Sequence, residues 1–369
     1  MCEQTNKNFE WIVIDDGSTD DTGNIVKKWI SETSDFRIIY CYTKNGGKHR
    51  GLNLGIKLAN GEAIINIDSD DYLMADAISF IIEHFPEISE DSRFAGISGL
   101  RAYKDGKIIG SSPSFESYLD ADTYKLHYHI CSGDKAEVYK TSILKKYPFP
   151  EFEGENFLSE GVVHFQIAYD GYLIRWFNKV LQRGEYLKDG LSRNLCYLFD
   201  SNPKGWAEFM RKRNLFLEGL DEVYKHRYWV LMHKHFDKDE LCELLMIDKK
   251  QYVQYEKDYQ MLIIKINKLL IEEKINTIAV YGCGNNAQFF VDCLNKLQKH
   301  IEYGIDQKKS NVLMDKTYYL NDSLPTVDAV FVTPKSITDK EFNSIKYTIN
   351  KKIKNCKIYA LNKEFTLFF

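Results

Sequence analysis

Two apolar runs of this chain end in carboxylates. The first is Ile12-Val13-Ile14-Asp15-Asp16-Gly17-Ser18-Thr19-Asp20, and the second is Ala63-Ile64-Ile65-Asn66-Ile67-Asp68-Ser69-Asp70-Asp71. The second run ends with three carboxylates in four residues, which repel one another at neutral pH unless a cation sits among them. Mg²⁺ or Mn²⁺, taking one or two carboxylates plus phosphate oxygens, suits such a turn, and its plainer reading is a solvated acidic loop. Asp15 and Asp16 can accept hydrogen bonds from a ribose or a base N–H, or simply end a strand and cap a helix. Between the two turns, Lys44-Asn45-Gly46-Gly47-Lys48-His49-Arg50-Gly51-Leu52-Asn53 offers paired glycines for close backbone approach and three basic side chains for a diphosphate. It lacks the G-x-x-x-x-G-K-[ST] form of a P-loop.

These residues need strands to carry them. Apolar runs predict strands over 10–14, 36–42 and 63–67, and helical periodicity predicts helices over 22–32 and 50–58, the latter stopped by Asn60-Gly61. That alternation is an α/β signature, and in open α/β sheets ligands sit at the carboxyl ends of strands. Three regions follow: an α/β domain over 1–200, a helical extension or linker over 201–274, and a small Rossmann-like α/β module over 275–369. The basic, aromatic stretch 224–235 suits either contact with anionic lipid or one face packed on a neighbour.

The last region starts with a strand that runs into Gly282-Cys283-Gly284-Asn285-Asn286-Ala287, a G-x-G-x-x-A in the right context for a dinucleotide loop. Asp306 follows Gly282 by 24 residues, where an acid can take a ribose. Gly282, Gly284, Ala287 and Asp306 are therefore the candidate dinucleotide residues. The module is short for a complete dinucleotide domain, and no hydride-transfer acid/base accompanies it, so NAD(P) is not an expected cofactor. Packing, assembly or small-nucleotide binding is the competing role.

Bulk properties narrow the classes. A net charge of −4 over 369 residues gives no global pull toward nucleic acid. Eight scattered cysteines without a C-x-x-C pair or zinc spacing read as reduced thiols. The start MCEQTNKN has no secretory signal character, and no window approaches the ~18 apolar residues of a spanning helix. The expected location is the cytoplasm, with any membrane contact peripheral at the inner face.

In order, DDGSTDDT, NGGKHRGLNLGI, a GE-initiated strand and DSDDYL resemble the family 2 glycosyltransferases of the GT-A fold. The resemblance implies an inverting transfer from a nucleotide-sugar donor, usually UDP-linked, assisted by a divalent metal. It implies acceptors that are glycans, polyol-phosphates or lipid-linked precursors of bacterial surface polymers; self-association is compatible with it. By that resemblance Asp15 and Asp16 lie at the nucleoside, Asp16 holding the base, and Lys48 and Asn53 also bind the nucleotide sugar. Asp68, Asp70 and Asp71 form the DxD region; Asp70 or Asp71 touches the metal and its neighbour the ribose.

Inverting transfer needs a base to take the acceptor hydroxyl's proton. The segments Cys131-Ser132-Gly133-Asp134-Lys135-Ala136-Glu137 and Phe157-Leu158-Ser159-Glu160-Gly161 resemble the same family, in a branch with GDKAE and FxSE segments. The family's base lies in a Glu-Asp pair; here the pair reads Glu160-Gly161, making Glu160 the candidate base, with helix-start stabilisation as its plainer role. Asp134 is the candidate for binding acceptor or donor hydroxyls, or simply a turn residue. Ser192 and Arg193 fall in a segment resembling the family's loop near the diphosphate. In the resembling family a first strand and most of a first helix precede the QT..NFEW segment, so Gln4-Thr5 is expected as the last turn of that helix and the first strand is expected to be missing. Two other classes remain: a catalytically impaired scaffold, and a nucleotide-dependent oxidoreductase led by the last module.

Overall fold

The computed structural model describes residues 1–369 apart from 112, 127–129, 186–194, 217–219, 221, 283–284, 307–316, 321, 335–337 and 362–369. Contacts divide the chain into two units, Met1–Glu185 with Lys204–Glu218, and Tyr186–Pro203 with Gly219–Phe369.

In the first unit the apolar run after Phe9 forms β1 (Glu10–Asp15), which pairs in parallel with β2 (Arg37–Tyr42), Ile12 opposite Ile39 and Asp15 opposite Tyr42. The crossover is the helix Thr22–Glu32, with the bounds its periodicity predicts. These strands form a two-stranded sheet of their own. The following helix, Lys48–Leu58, lies on β1 through a glycine pair: a Cβ at Gly51 or Gly55 would touch the Ile14 side chain at 3.4 and 3.7 Å.

The second sheet is mixed. It contains β3 (Ala63–Ile65), β4 (Tyr72–Leu73), β5 (Phe94–Tyr103), β6 (Tyr118–Ala121), β7 (Lys135–Lys140) and β8 (Leu173–Gly184). Its order is β3-β7-β5-β8-β4, with β6 also paired to β8. Because side chains alternate along a strand, each face carries its own core. Phe94, Ile97, Val138 and Leu181 pack with the helix Ala77–His84. Ala95, Tyr139, Ile174 and Trp176 pack with the helix Gly161–Tyr169. The strand expected over 63–67 stops at Ile65, and the chain leaves the ladder before the acidic turn.

The N-terminal segment departs from expectation. Gln4-Thr5 is not a helical turn. Gln4 is buried, its Nε2 donating to Met74 O at 2.8 Å and its Oε1 accepting from Ile78 N at 3.1 Å. A side chain from outside the helix Ala77–His84 thus satisfies one of its orphan N–H groups, which the helix's own N-cap residue leaves without a side-chain acceptor.

The second unit has a wholly parallel sheet of β9 (Ile278–Tyr281), β10 (Ile301–Ile305), β11 (Thr317–Tyr318), β12 (Ala329–Val332) and β13 (Lys357–Ala360), ordered β11-β10-β9-β12-β13. β9 and β12 are buried throughout, as central parallel strands must be. The helices Glu222–Met232, Lys238–Leu245 and Lys249–Glu272 belong to the same unit. The first of them buries Trp229, Val230, Leu231 and Met232 and leaves Tyr224 exposed. Among the described residues no helix is long and apolar enough to cross a membrane.

Candidate functional site

The loop between β2 and its following helix is held from both sides. Both oxygens of the Asp16 carboxylate are engaged, one by the Gly46 N–H and the other by the Gly47 N–H, each at 2.8 Å. Gly47 has φ 96°, and a Cβ there would lie 1.9 Å from Asn156 O, so only glycine fits. This docking starts the helix at Lys48 and aims its side chain. Lys48 Nζ lies 2.5 Å from Asp68 Oδ1 and 2.5 Å from Glu160 Oε1. Burial pushes the Lys48 ammonium down, but Glu160 and Asp68 outweigh it and hold it above the ordinary lysine value. One cation thus joins the acidic turn to the candidate base, residues 92 apart in sequence.

Glu160 reaches that place because the loop before it is stapled down. Arg50 donates from Nη1 to Glu155 O and from Nη2 to Phe152 O, both at 2.7 Å, and from Nη1 to Gly46 O. Asn53 makes a two-way pair with the Phe149 backbone, Nδ2 to O and N to Oδ1, both at 2.9 Å. The buried Glu155 carboxylate accepts the Lys204 and Gly205 N–H groups at 2.8 Å, fixing the start of the helix Pro203–Asn214. Of the three basic side chains expected to face a diphosphate, then, only Lys48 is turned onto the acidic turn. Arg50 is spent on carbonyls. His49 is buried, and burial, then the nearby Arg50, push its imidazole below the ordinary value. Asn53, placed at the nucleotide sugar by resemblance, has its amide engaged by this loop.

The acidic turn closes with Asp71 N donating to Asp68 O at 3.0 Å. Asp70 is exposed, whereas the Asp71 side chain is 1 % exposed. Asp71 Oδ2 accepts from Arg101 Nη2 and, at 2.6 Å, from Gln182 Nε2, while Oδ1 is buried with no partner among the described residues. Burial pushes the Asp71 carboxyl up despite Arg101 and Gln182. The same guanidinium reaches Asp134 Oδ2 at 3.4 Å. Arg101 therefore ties the acidic turn to the segment containing Asp134, a role the residue pattern did not flag. The available signal was a charged side chain inside the apolar run Phe94–Tyr103, which needs a counter-ion.

Among the described residues no three His, Cys, Asp or Glu side chains converge as a ready cation cage. The exposed Asp70 and the partly exposed Asp68 fit the smaller donor set of a cation that completes its shell with phosphate oxygens. Asp71, turned onto Arg101, does not face outward with them.

Asp15 ends β1 as a buried anchor, accepting from Tyr40 Oη at 2.6 Å and Ser18 N at 2.7 Å. Burial pushes its carboxyl up, but these hydrogen bonds outweigh it and hold it below the ordinary value. The Tyr40 hydroxyl is pushed up to about 12 by the same bond. Ser192, Arg193 and Gly284 lie outside the described residues. In the second unit, Gly282 has φ 85° at the end of β9, and a Cβ there would lie 2.8 Å from Pro334 Cγ, so packing accounts for this glycine. Ala287 is buried in the helix Asn285–Lys296, and Asp306 N donates to Tyr318 O at 3.0 Å.

Comparison with known proteins adds the family. Residues 1–146 match the model of Glycosyl transferase family 2. The chain carries a glycosyl transferase family 2 domain. That domain contains the Asp16 loop, Lys48 and the whole acidic turn. An uncharacterized glycosyltransferase of Rickettsia felis is 40% identical over 111 residues, 29% of this chain and 17% of that protein. Poly(ribitol-phosphate) beta-N-acetylglucosaminyltransferase TarS of Staphylococcus aureus is 30% identical over 141 residues, 37% and 23% of the two chains. UDP-Glc:alpha-D-GlcNAc-diphosphoundecaprenol beta-1,3-glucosyltransferase WfaP of Escherichia coli is 39% identical over 122 residues, 31% and 44%. Each match takes in less than half of the relative's own length.

Two outcomes follow from this geometry. Arg101→Met leaves a buried carboxylate without its counter-ion and costs about 3–5 kcal/mol in urea denaturation; Asp71→Asn in the Arg101→Met background returns part of that loss. Tyr40→Phe removes a bond that holds the Asp15 carboxyl low. A lowered carboxyl stabilises the fold above its unfolded value and loses that contribution as pH falls through the folded value, so the variant's acid-unfolding midpoint, followed by circular dichroism, moves to higher pH.

Proposed function

We propose that this chain is an inverting glycosyltransferase that moves a sugar from a nucleotide-diphosphate donor, a UDP-sugar, to a hydroxyl of a surface glycan, polyol-phosphate or lipid-linked precursor. The observation that carries the reading is the pairing of one lysine with both Asp68 and Glu160, at a family 2 domain whose strand ends carry the acidic turn. The relatives named for N-acetylglucosamine transfer to poly(ribitol-phosphate) and for glucose transfer from UDP-Glc support the donor and acceptor classes.

In this reading the donor's nucleoside lies at the carboxyl end of β1, near Asp15 and Asp16, and Lys48 takes the diphosphate. A phosphate oxygen replaces Glu160 as a partner of the ammonium, which leaves the carboxylate to accept the proton of an acceptor hydroxyl. The hydroxyl oxygen forms the new bond at the anomeric carbon as the bond to the diphosphate breaks on the opposite face, and Lys48 stabilises the charge of the departing nucleotide. A divalent cation bound by Asp70, with Asp68 beside it, would supply further charge neutralisation for the diphosphate. Asp134, held by Arg101, is positioned for sugar hydroxyls.

Glu160→Gln should lower kcat by about 10²–10⁴-fold with donor binding retained. Asp70→Asn should weaken Mn²⁺-dependent donor binding. Nucleotide release from a panel of UDP-sugars, with product stereochemistry read by NMR, tests both. Donor binding with no turnover in the wild-type chain favours the scaffold reading, and a retained anomeric configuration contradicts the inversion.

A further inference from the structure

β6 and the helix Ala77–His84 border a cavity of about 370 Å³ on β8. Phe80, His84, Glu116, Tyr118, Phe177 and Lys179 are among its lining residues. The size falls at the lower end of the ~300–1,000 Å³ typical of small-molecule sites. Its floor is aromatic. The Phe177 ring is buried, met edge-on by Phe80 at 5.1 Å, with Tyr118 at 5.7 Å. Tyr118 is 46% exposed.

The charges around this floor decide what it can take. Lys179 Nζ is 2.6 Å from Asp76. Arg175, stacked over the Tyr118 ring at 4.4 Å, pairs with Asp120 and Glu87, both at 2.8 Å, and His84 Nδ1 lies 2.8 Å from Glu87. The cations are therefore committed. The acceptors are less so: the exposed Glu116 carboxylate has no cation paired to it among the described residues, and the Asn178 amide, which also lines the cavity, donates to Phe115 O at 3.2 Å and keeps its carbonyl oxygen. An anion would meet Glu116 and no uncommitted cation. A hydrocarbon would dehydrate acceptors and give them nothing in return. A pyranose offers an apolar C–H face to the rings and O–H donors at its edge to the acceptors.

We propose that this cavity is a binding site for a neutral saccharide, separate from the acidic turn. The separation runs along one strand: Phe177 and Lys179 line the cavity, whereas Gln182 of the same β8 holds Asp71. From Lys179 to Gln182 is about 10 Å at ~3.3 Å per residue. The proposal follows from the cavity's own chemistry and does not rest on the transfer reading.

The test is a titration of the full chain, without nucleotide, with cellobiose and with N,N′-diacetylchitobiose, followed by saturation-transfer NMR and calorimetry. At least one disaccharide should bind saturably. Tyr118→Ala, at an exposed position, should weaken that binding by about fivefold, Glu116→Gln should weaken it too, and Asp70→Asn should leave it unchanged. The proposal is overturned if neither disaccharide saturates, if both cavity variants bind like the wild type, or if Asp70→Asn or added UDP abolishes binding. Displacement of the sugar by inorganic phosphate would also overturn it, since the cavity would then be an anion site.

Discussion

One ammonium group, Lys48 Nζ, sits between two carboxylates from distant parts of the first unit, and the site is organised around that placement. The pair is partly exposed, with 38% of the lysine side chain open to solvent, so its contribution to global stability is small. Its consequence is geometric. Asp68 ends the chain leaving β3, Glu160 begins the helix Gly161–Tyr169, and Lys48 fixes the space between them. The lysine in turn has its position from Asp16, whose carboxylate holds the two preceding N–H groups. A carboxylate that binds backbone amides at a helix start is favoured by the helix dipole as well as by the hydrogen bonds.

Around that centre, charged residues divide into those that face outward and those consumed inside the fold. Arg50 and Asn53 hold the loop that delivers Glu160; Glu155 anchors the start of the more distant helix Pro203–Asn214. Arg101 neutralises Asp71 from within the sheet. With Asp71 so engaged, the charge that the turn presents to solvent falls on Asp68 and Asp70, and Lys48 already offsets the first. Lys48 and Arg101 thereby offset two of the three carboxylates of the turn.

The sequence made the strand-end acids visible because an apolar run followed at once by several carboxylates has few other uses. The crossover helix Thr22–Glu32 and the strands at 10 and 37 were legible for the same reason: periodicity is local. What stayed hidden depends on partners far along the chain. Arg50 meets carbonyls 102 and 105 residues away, and nothing in NGGKHRG separates a guanidinium bound for a phosphate from one bound for a backbone oxygen. Gln4 shows the same limit, since its amide serves a helix that starts more than 70 residues later. Arg101 was readable in principle, as a lone charge in an apolar strand, but its partner Asp71 was not.

Lys48 is proposed to link the acidic turn and the candidate base, which it pairs with here, to the donor diphosphate. A crystal structure of the chain with UDP and Mn²⁺ tests it most directly. Lys48 Nζ is expected within hydrogen-bond distance of a diphosphate oxygen and withdrawn from Glu160, with the metal on Asp70. A nucleotide bound away from the acidic turn, with Lys48 and Glu160 still paired, would contradict it.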